Sequence, residues 1–106
     1  MEDKHTNAAV IASCISLAMC SGKYSKKIIG GVGSALCLRL NPAITAYRIR
    51  QITHLETQPK NNYKDRLRRE STNYKLIQPI RGTSPELWEL TELGKSLCDD
   101  IMNEYN

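Results

Sequence analysis

Lysine and arginine crowd the middle of this chain. Between residues 39 and 81 stand ten of them (Arg39, Arg48, Arg50, Lys60, Lys64, Arg66, Arg68, Arg69, Lys75 and Arg81) against Glu56, Asp65 and Glu70, a local balance of +7. Residues 82–106 reverse the sign, with Glu86, Glu89, Glu92, Asp99, Asp100 and Glu104 facing a single Lys95, a balance of −5. The overall formal charge of +4 conceals this sorting. Guanidinium and ammonium groups at such density do one kind of chemistry well: they neutralise and hydrogen-bond phosphates.

Other chemistries find little support in the residue pattern. Glu86, Glu89 and Glu92 recur every three residues, but strand alternation and a helix start account for them. Glu92-Leu93-Gly94-Lys95 has the wrong spacing for the Glu-x-Lys of a metal-dependent nuclease. No Ser/His/Asp or Cys/His arrangement stands out, and His5 and His54 fall near expected ends or loops. Cys14, Cys20, Cys37 and Cys98 form no Cys-x-x-Cys pair and lie within apolar patterns, so they read as small buried side chains in a reducing compartment rather than zinc ligands. Gly30, Gly31 and Gly33 match neither Gly-Lys-Ser/Thr nor Gly-x-Gly-x-x-Gly phosphate loops, and instead mark a helix start or a close helix contact. The expectation is a protein that is not an enzyme and needs no cofactor or metal. No effector pocket is evident either.

A chain of 106 residues, 41% hydrophobic, suits one domain with a modest core. Five Tyr, one Trp and no Phe leave that core to Leu, Ile, Ala and Val, and argue against stacking platforms for single strands. The elements can be read in order. Thr6 or Asn7 caps a helix over 7–21 ended by Gly22. Its apolar side chains (Val10, Ile11, Cys14, Ile15, Leu17, Ala18, Met19) cover more than one stripe, as in a helix enclosed on most sides or shared with a second copy. At 13 residues the apolar run Ala8–Cys20 is short of a membrane span, and Glu2, Asp3 and the large Met19 speak against a cleaved leader. A cytoplasmic protein away from membranes is expected.

After the basic linker 23–27, a second helix is expected over 33–40, with Leu36, Cys37 and Leu40 inward. Asn41-Pro42 reads as cap and first turn of a third helix ending near Thr53, with Arg48, Arg50 and Gln51 in solvent. Lys60–Thr72 is the fourth, with Tyr63 and Leu67 inward and Asn73 at its left-handed end. Lys75–Arg81, the turn Gly82-Thr83-Ser84-Pro85 and Leu87–Leu90 form a hairpin. Thr91 caps a last helix over 91–105 with a Leu93–Leu97–Ile101 stripe.

Two helices, then Leu67-Arg68-Arg69, Leu76-Ile77, a turn, and Leu87-Trp88-Glu89-Leu90-Thr91-Glu92-Leu93-Gly94 together resemble a winged helix-turn-helix domain. Similar segments occur in bacterial and phage regulators and in the amino-terminal domains of some restriction enzymes. The resemblance covers residues 33–102, and its most specific part is the Trp-x-Leu-Thr-x-x-Gly ending of the wing. It implies a mainly α fold with a small β-hairpin wing: a winged-helix core over 33–94, an extra N-terminal helix over 7–21, and the C-terminal helix, all within one domain. Lys75 stands where the family usually has glycine before the Leu-Ile that opens the wing.

The resemblance further implies that helix 60–72 reads the major groove of double-stranded DNA. With Tyr63 and Leu67 inward, Asn61, Lys64, Asp65 and Arg68 share the outer face, Lys60 stands at its start and Arg69 on its flank. Asn binds adenine and Arg guanine through paired hydrogen bonds, each worth about 1–3 kcal/mol of discrimination, whereas Lys suits phosphate. Arg81 and Thr83 at the wing tip, and Arg48 with Arg50 on the preceding helix, would hold the backbone. The acidic last helix should face away from DNA and can extend a homodimer presenting two reading helices. A transcriptional regulator or mobile-element accessory protein is the expectation. The alternative is a winged module that docks a protein partner, as an adaptor or inhibitor, through helix 8–20 and the acidic tail.

Overall fold

The computed structural model describes residues 4–53 and 62–105. Among the described residues five helices and three short strands follow one another as α1 (Lys4–Ser21), α2 (Lys26–Leu40), β1 (Ile44–Thr45), α3 (Ala46–Thr53), α4 (Tyr63–Tyr74), β2 (Ile77–Ile80), β3 (Leu87–Leu90) and α5 (Glu92–Tyr105). The strands make one antiparallel sheet of order β1-β3-β2, in which Trp88 is opposite Ile44 on one side and Pro79 on the other. The architecture is mainly helical with a small antiparallel sheet. No described helix is long and apolar enough to cross a membrane.

Helix α2 is the spine of the molecule, and it is longer than its sequence suggests. It starts at Lys26 rather than Gly33, because the Ser25 side chain accepts a hydrogen bond from the Ile28 amide and caps the first turn. Gly30, Gly31 and Gly33 therefore lie inside the helix, where each costs about 1 kcal/mol relative to alanine. Close packing offsets that cost at two of them. A methyl group at Gly31 would fall 2.6 Å from the Tyr74 ring, and one at Gly30 would fall 2.7 Å from the Tyr74 hydroxyl. Val32, Ala35, Leu36, Cys37 and Leu38 are buried, and Leu40 is half-buried.

Asn41 ends α2 instead of opening α3: its amide and its Nδ2 both donate to the Cys37 carbonyl, at 2.8 and 3.0 Å. Pro42 and Ala43 then turn the chain into β1, with Ala43 at φ 57°. The cap of α3 is Thr45, whose Oγ1 accepts from the Arg48 amide at 3.2 Å. Asn7 is likewise no cap. Helix α1 begins at Lys4, so Asn7 lies within it, buried, and donates to the Asn41 Oδ1 at 2.9 Å. Ile11, Cys14 and Ala18 are the buried stripe of α1, and Gly22 at φ 72° follows its end.

Helix α4 anchors Leu67 fully, with Tyr63 and Tyr74 half-buried on the same side. Its left-handed end is Lys75 (φ 58°) rather than Asn73, which is the position that glycine occupies in the resembling family. Around this end three elements are tied together. Ser71 Oγ donates to the Ile77 carbonyl, Thr91 Oγ1 to the Lys75 carbonyl, and the Thr91 amide to the Leu76 carbonyl. Thr91 also caps α5 by accepting from the Gly94 amide at 3.0 Å. Leu97, Cys98 and Ile101 form the buried stripe of α5; Leu93, expected inward, is 54% exposed because Gly94 takes the close position against the Leu76 backbone.

Three cysteines fill the core between α1, α2 and α5, whereas Cys20 is exposed on α1, contrary to the reading of all four as buried. Burial pushes the Cys37 and Cys98 thiols up to about 12, with the Asp99 carboxylate adding to the shift at Cys98, and burial also raises Cys14. Below the ordinary thiol value of 9.0 both folded and unfolded chains keep these protons and nothing changes with pH. Above it the unfolded chain releases protons that the folded one retains, so stability falls as pH rises, on the order of 1.4 kcal/mol per pH unit for each thiol. Urea midpoints measured from pH 8.5 to 10.5 should therefore fall less steeply for Cys37→Ala/Cys98→Ala than for the parent chain. Parallel curves would refute this account.

Candidate nucleic-acid interface

The basic side chains of α4 stand on a rod whose inner side is fixed. With Tyr63, Leu67 and Tyr74 turned inward, the 100° step of a helix puts Lys64 and Arg68 on the flank toward the hairpin, Asp65 and Thr72 at the crest, and Arg69, Arg66 and Asn73 on the flank toward α2. Lys64, Arg66, Arg68 and Arg69 are all exposed. Lys60 and Asn61 lie outside the described residues. Lys64, Arg66 and Arg69 have no ion-pair partner among the described residues, while Arg68 donates to Glu86 at 2.9 Å. Both members of that pair are well exposed, so the pair is worth less than about 1 kcal/mol and can exchange for another anion.

Arg48 is exposed on α3 and donates to Gln51 at 3.3 Å. Arg50 is not at the surface as its position in the sequence suggested. Only 7% exposed, it forms a 3.6 Å ion pair with Glu70 of α4, which also accepts from Ser34 of α2 at 2.8 Å. Burial pulls the Arg50 guanidinium below its ordinary value, and the Glu70 carboxylate pulls it back. This pair cross-links α3 to α4 and removes Arg50 from any surface role. The signal for it was Glu70 itself, a lone acid within the inward-facing series of a basic helix.

At the hairpin, Arg81 and Gly82 (φ 80°) are exposed at the turn. Thr83 is half-buried and its hydroxyl is occupied on both sides, donating to the Ile80 carbonyl and accepting from the Leu87 amide, each at 2.9 Å. Its side chain shapes the turn instead of facing outward, because residues 80 and 87 pair across the strands and the six-residue span between them needs an internal brace. The Ser84–Pro85 bond is cis. Between the start of α3, the start of α4 and this turn lies a cleft of about 160 Å³, lined by Thr45, Tyr47, Tyr63, Lys64 and Glu86, with Trp88 beneath. Tyr47 and Tyr63 meet edge to face across it at 5.7 Å. The buried Trp88 indole N–H has no hydrogen-bond partner among the described residues.

The acids of α5 hold the peripheral bases: Arg39 donates to Asp99 at 3.1 Å, and Lys23 pairs with Glu104, which raises the Lys23 pKa chiefly through that hydrogen bond. Of the α4 bases, Arg68 is paired with Glu86, while Lys64, Arg66 and Arg69 have no ion-pair partner among the described residues. A larger cleft of about 410 Å³ opens on another side, among Leu38, Pro42, Ile80 and Leu90, with the Arg39–Asp99 pair at its rim; nothing in the residue pattern announced it. Among the described residues no cluster of His, Cys, Asp and Glu could hold a metal ion. No protein-family model, no curated protein and no solved structure matches this chain.

Proposed function

We propose that the protein binds double-stranded DNA as a winged helix-turn-helix, with α4 in the major groove and the 81–84 turn as the wing against the adjacent backbone. One observation carries this reading: Lys64 and Arg68 stand together in solvent, with Arg69 exposed on the opposite flank, on a helix pinned by the fully buried Leu67. The element order supports it, since the helices α3 and α4 and the β2–β3 hairpin follow one another as the resemblance implies. Arg68 is the base-reading candidate, Lys64, Arg69, Arg48 and Arg81 the phosphate contacts. Thr83 acts through the turn it braces.

The proposed role is that of a small transcriptional regulator or a mobile-element accessory protein, acting in the cytoplasm as a homodimer. Helix α1 supports the dimer: from Asn7 to Gly22 it carries no charge, and Leu17 (38% exposed) and Met19 (64% exposed) lie uncovered on it. That same uncovered face favours a second reading, a module that docks a protein partner.

Fluorescence anisotropy with labelled duplexes at two salt concentrations tests the proposal. Arg68→Ala should narrow the affinity differences between duplex sequences, whereas Lys64→Ala should weaken all of them alike and flatten the salt dependence by about 0.9 in log–log slope. Absent or salt-insensitive binding rejects DNA as the ligand. A stoichiometric protein captured from nuclease-treated host lysate would then support the docking module.

A further inference from the structure

The sequence places the reading surface on the outer face of α4, yet the helix is basic on both flanks. On the side facing α2, Arg66, Arg69 and Asn73 follow one another at steps of three and four residues and line a polar cleft of about 180 Å³, closed by Tyr74 and Gly30. The floor of this cleft is bare helix backbone, because the Tyr74 hydroxyl lies directly against Gly30 where any larger residue would collide with it. Glu70 also borders the cleft, but its carboxylate is committed to Ser34 and Arg50. Neither Arg66 nor Arg69 has an ion-pair partner among the described residues. Two guanidinium forks, an amide and a phenol around one small concavity suit a tetrahedral phosphate.

We propose that this cleft takes a backbone phosphate of the DNA strand opposite the one held by Lys64 and the wing, so that α4 is clamped from both sides. The proposal rests on the DNA-binding reading and deepens it. An α-helix with its side chains is about 10–12 Å across and the major groove about 12 Å wide, so a helix lying in the groove has one phosphate ribbon along each flank. Lys64 meets the first ribbon, on the flank from which Arg68 reaches the bases. Arg66, Arg69 and Asn73 meet the second, and the asymmetric pair of grips fixes how far the helix can roll within the groove.

The test is a salt titration of duplex binding by anisotropy, with the full chain and the double variant Arg66→Gln/Arg69→Gln. Both positions are exposed, so equal thermal melts should show the variant folded. Losing two phosphate contacts should lower the log–log salt slope by about 1.8 and weaken binding about thirtyfold at 0.15 M salt. The ranking of duplex sequences should stay as in the parent, in contrast to Arg68→Ala. If the parent binds DNA and the double variant keeps its slope, the clamp is overturned while the DNA reading stands. If the parent binds no DNA, both fall. Saturable binding of inorganic phosphate, lost in the double variant while its DNA slope is unchanged, would reassign the cleft to a free anion and also overturn the clamp.

Discussion

Gly94→Ala should cost about 3 kcal/mol of stability or prevent folding altogether. The added methyl would sit 2.1 Å from the Leu76 carbonyl oxygen and 3.0 Å from its carbon. Neither side can yield by a change of rotamer. The Leu76 carbonyl accepts from the Thr91 amide at 3.0 Å, and the Gly94 amide donates to Thr91 Oγ1, so helix start and strand start are hydrogen-bonded into one corner. Overpacking of side chains typically costs 1–3 kcal/mol, and a backbone–backbone collision falls at the upper end of that range or beyond it. Gly33→Ala is the control. Its nearest neighbour, Ile15 Cδ1, would be 3.6 Å away, an ordinary contact, and alanine in mid-helix should stabilise by up to about 1 kcal/mol. Urea denaturation of the two variants should move in opposite directions. A loss below about 1 kcal/mol at Gly94 would show that the corner is softer than its geometry states.

Glu70→Ala is expected to be nearly as damaging, at about 3 kcal/mol, even though Glu70 is only partly buried. Its removal takes the carboxylate away from the buried Arg50 guanidinium, 7% exposed, and deprives the buried Ser34 hydroxyl of its acceptor. Breaking a buried pair on one side generally costs more than the pair contributes, because the remaining charge stays desolvated. Replacing both members, Arg50→Met with Glu70→Leu, should therefore recover most of the loss. Thermal melts of the single and double variants decide the point. A double variant as unstable as the single one would mean that the loss does not come from the Arg50–Glu70 pair.

Both sites show where residue pattern suffices and where it does not. The α5 cap at Thr91, the hairpin strands and the Leu67 anchor were legible, because each depends on neighbours within four residues or on a two-residue alternation. The start of α2 was not. Three glycines in four positions weigh against a helix locally, and the reason for two of them, Gly30 and Gly31, is the side chain of Tyr74, more than 40 positions further along. Asn41 was placed at the right junction and assigned to the wrong helix, since an asparagine can cap either end and its partner, the Cys37 carbonyl, precedes it. Leu93 and Gly94 exchanged roles for a related reason: an apolar stripe cannot reveal that a backbone must pass within a van der Waals radius.

The candidate site was half visible. Lys64, Arg68 and Arg69 are outward as helix spacing requires, and Arg48 and Arg81 are exposed. Arg50 was misread because an arginine beside Ile49 and Ile52 gives no sign of its partner on another helix. Thr83 was misread because hydroxyl groups serve a turn as readily as a ligand. Arg66 went unnoticed since the flank it occupies is defined by α2, whose approach to α4 depends on those same glycines.

The knot at residues 71–77 and 91–94 has a mechanical consequence. Through it the end of α4, the root of the hairpin and the beginning of α5 share hydrogen bonds within one corner, with no glycine hinge among residues 71–77. The separation between the exposed side of α4 and the hairpin tip is thus set like the gap of a rigid caliper. On the proposed DNA-binding reading, a duplex gripped there would have to supply the adaptation itself, and its own stiffness should decide which sequences are accepted.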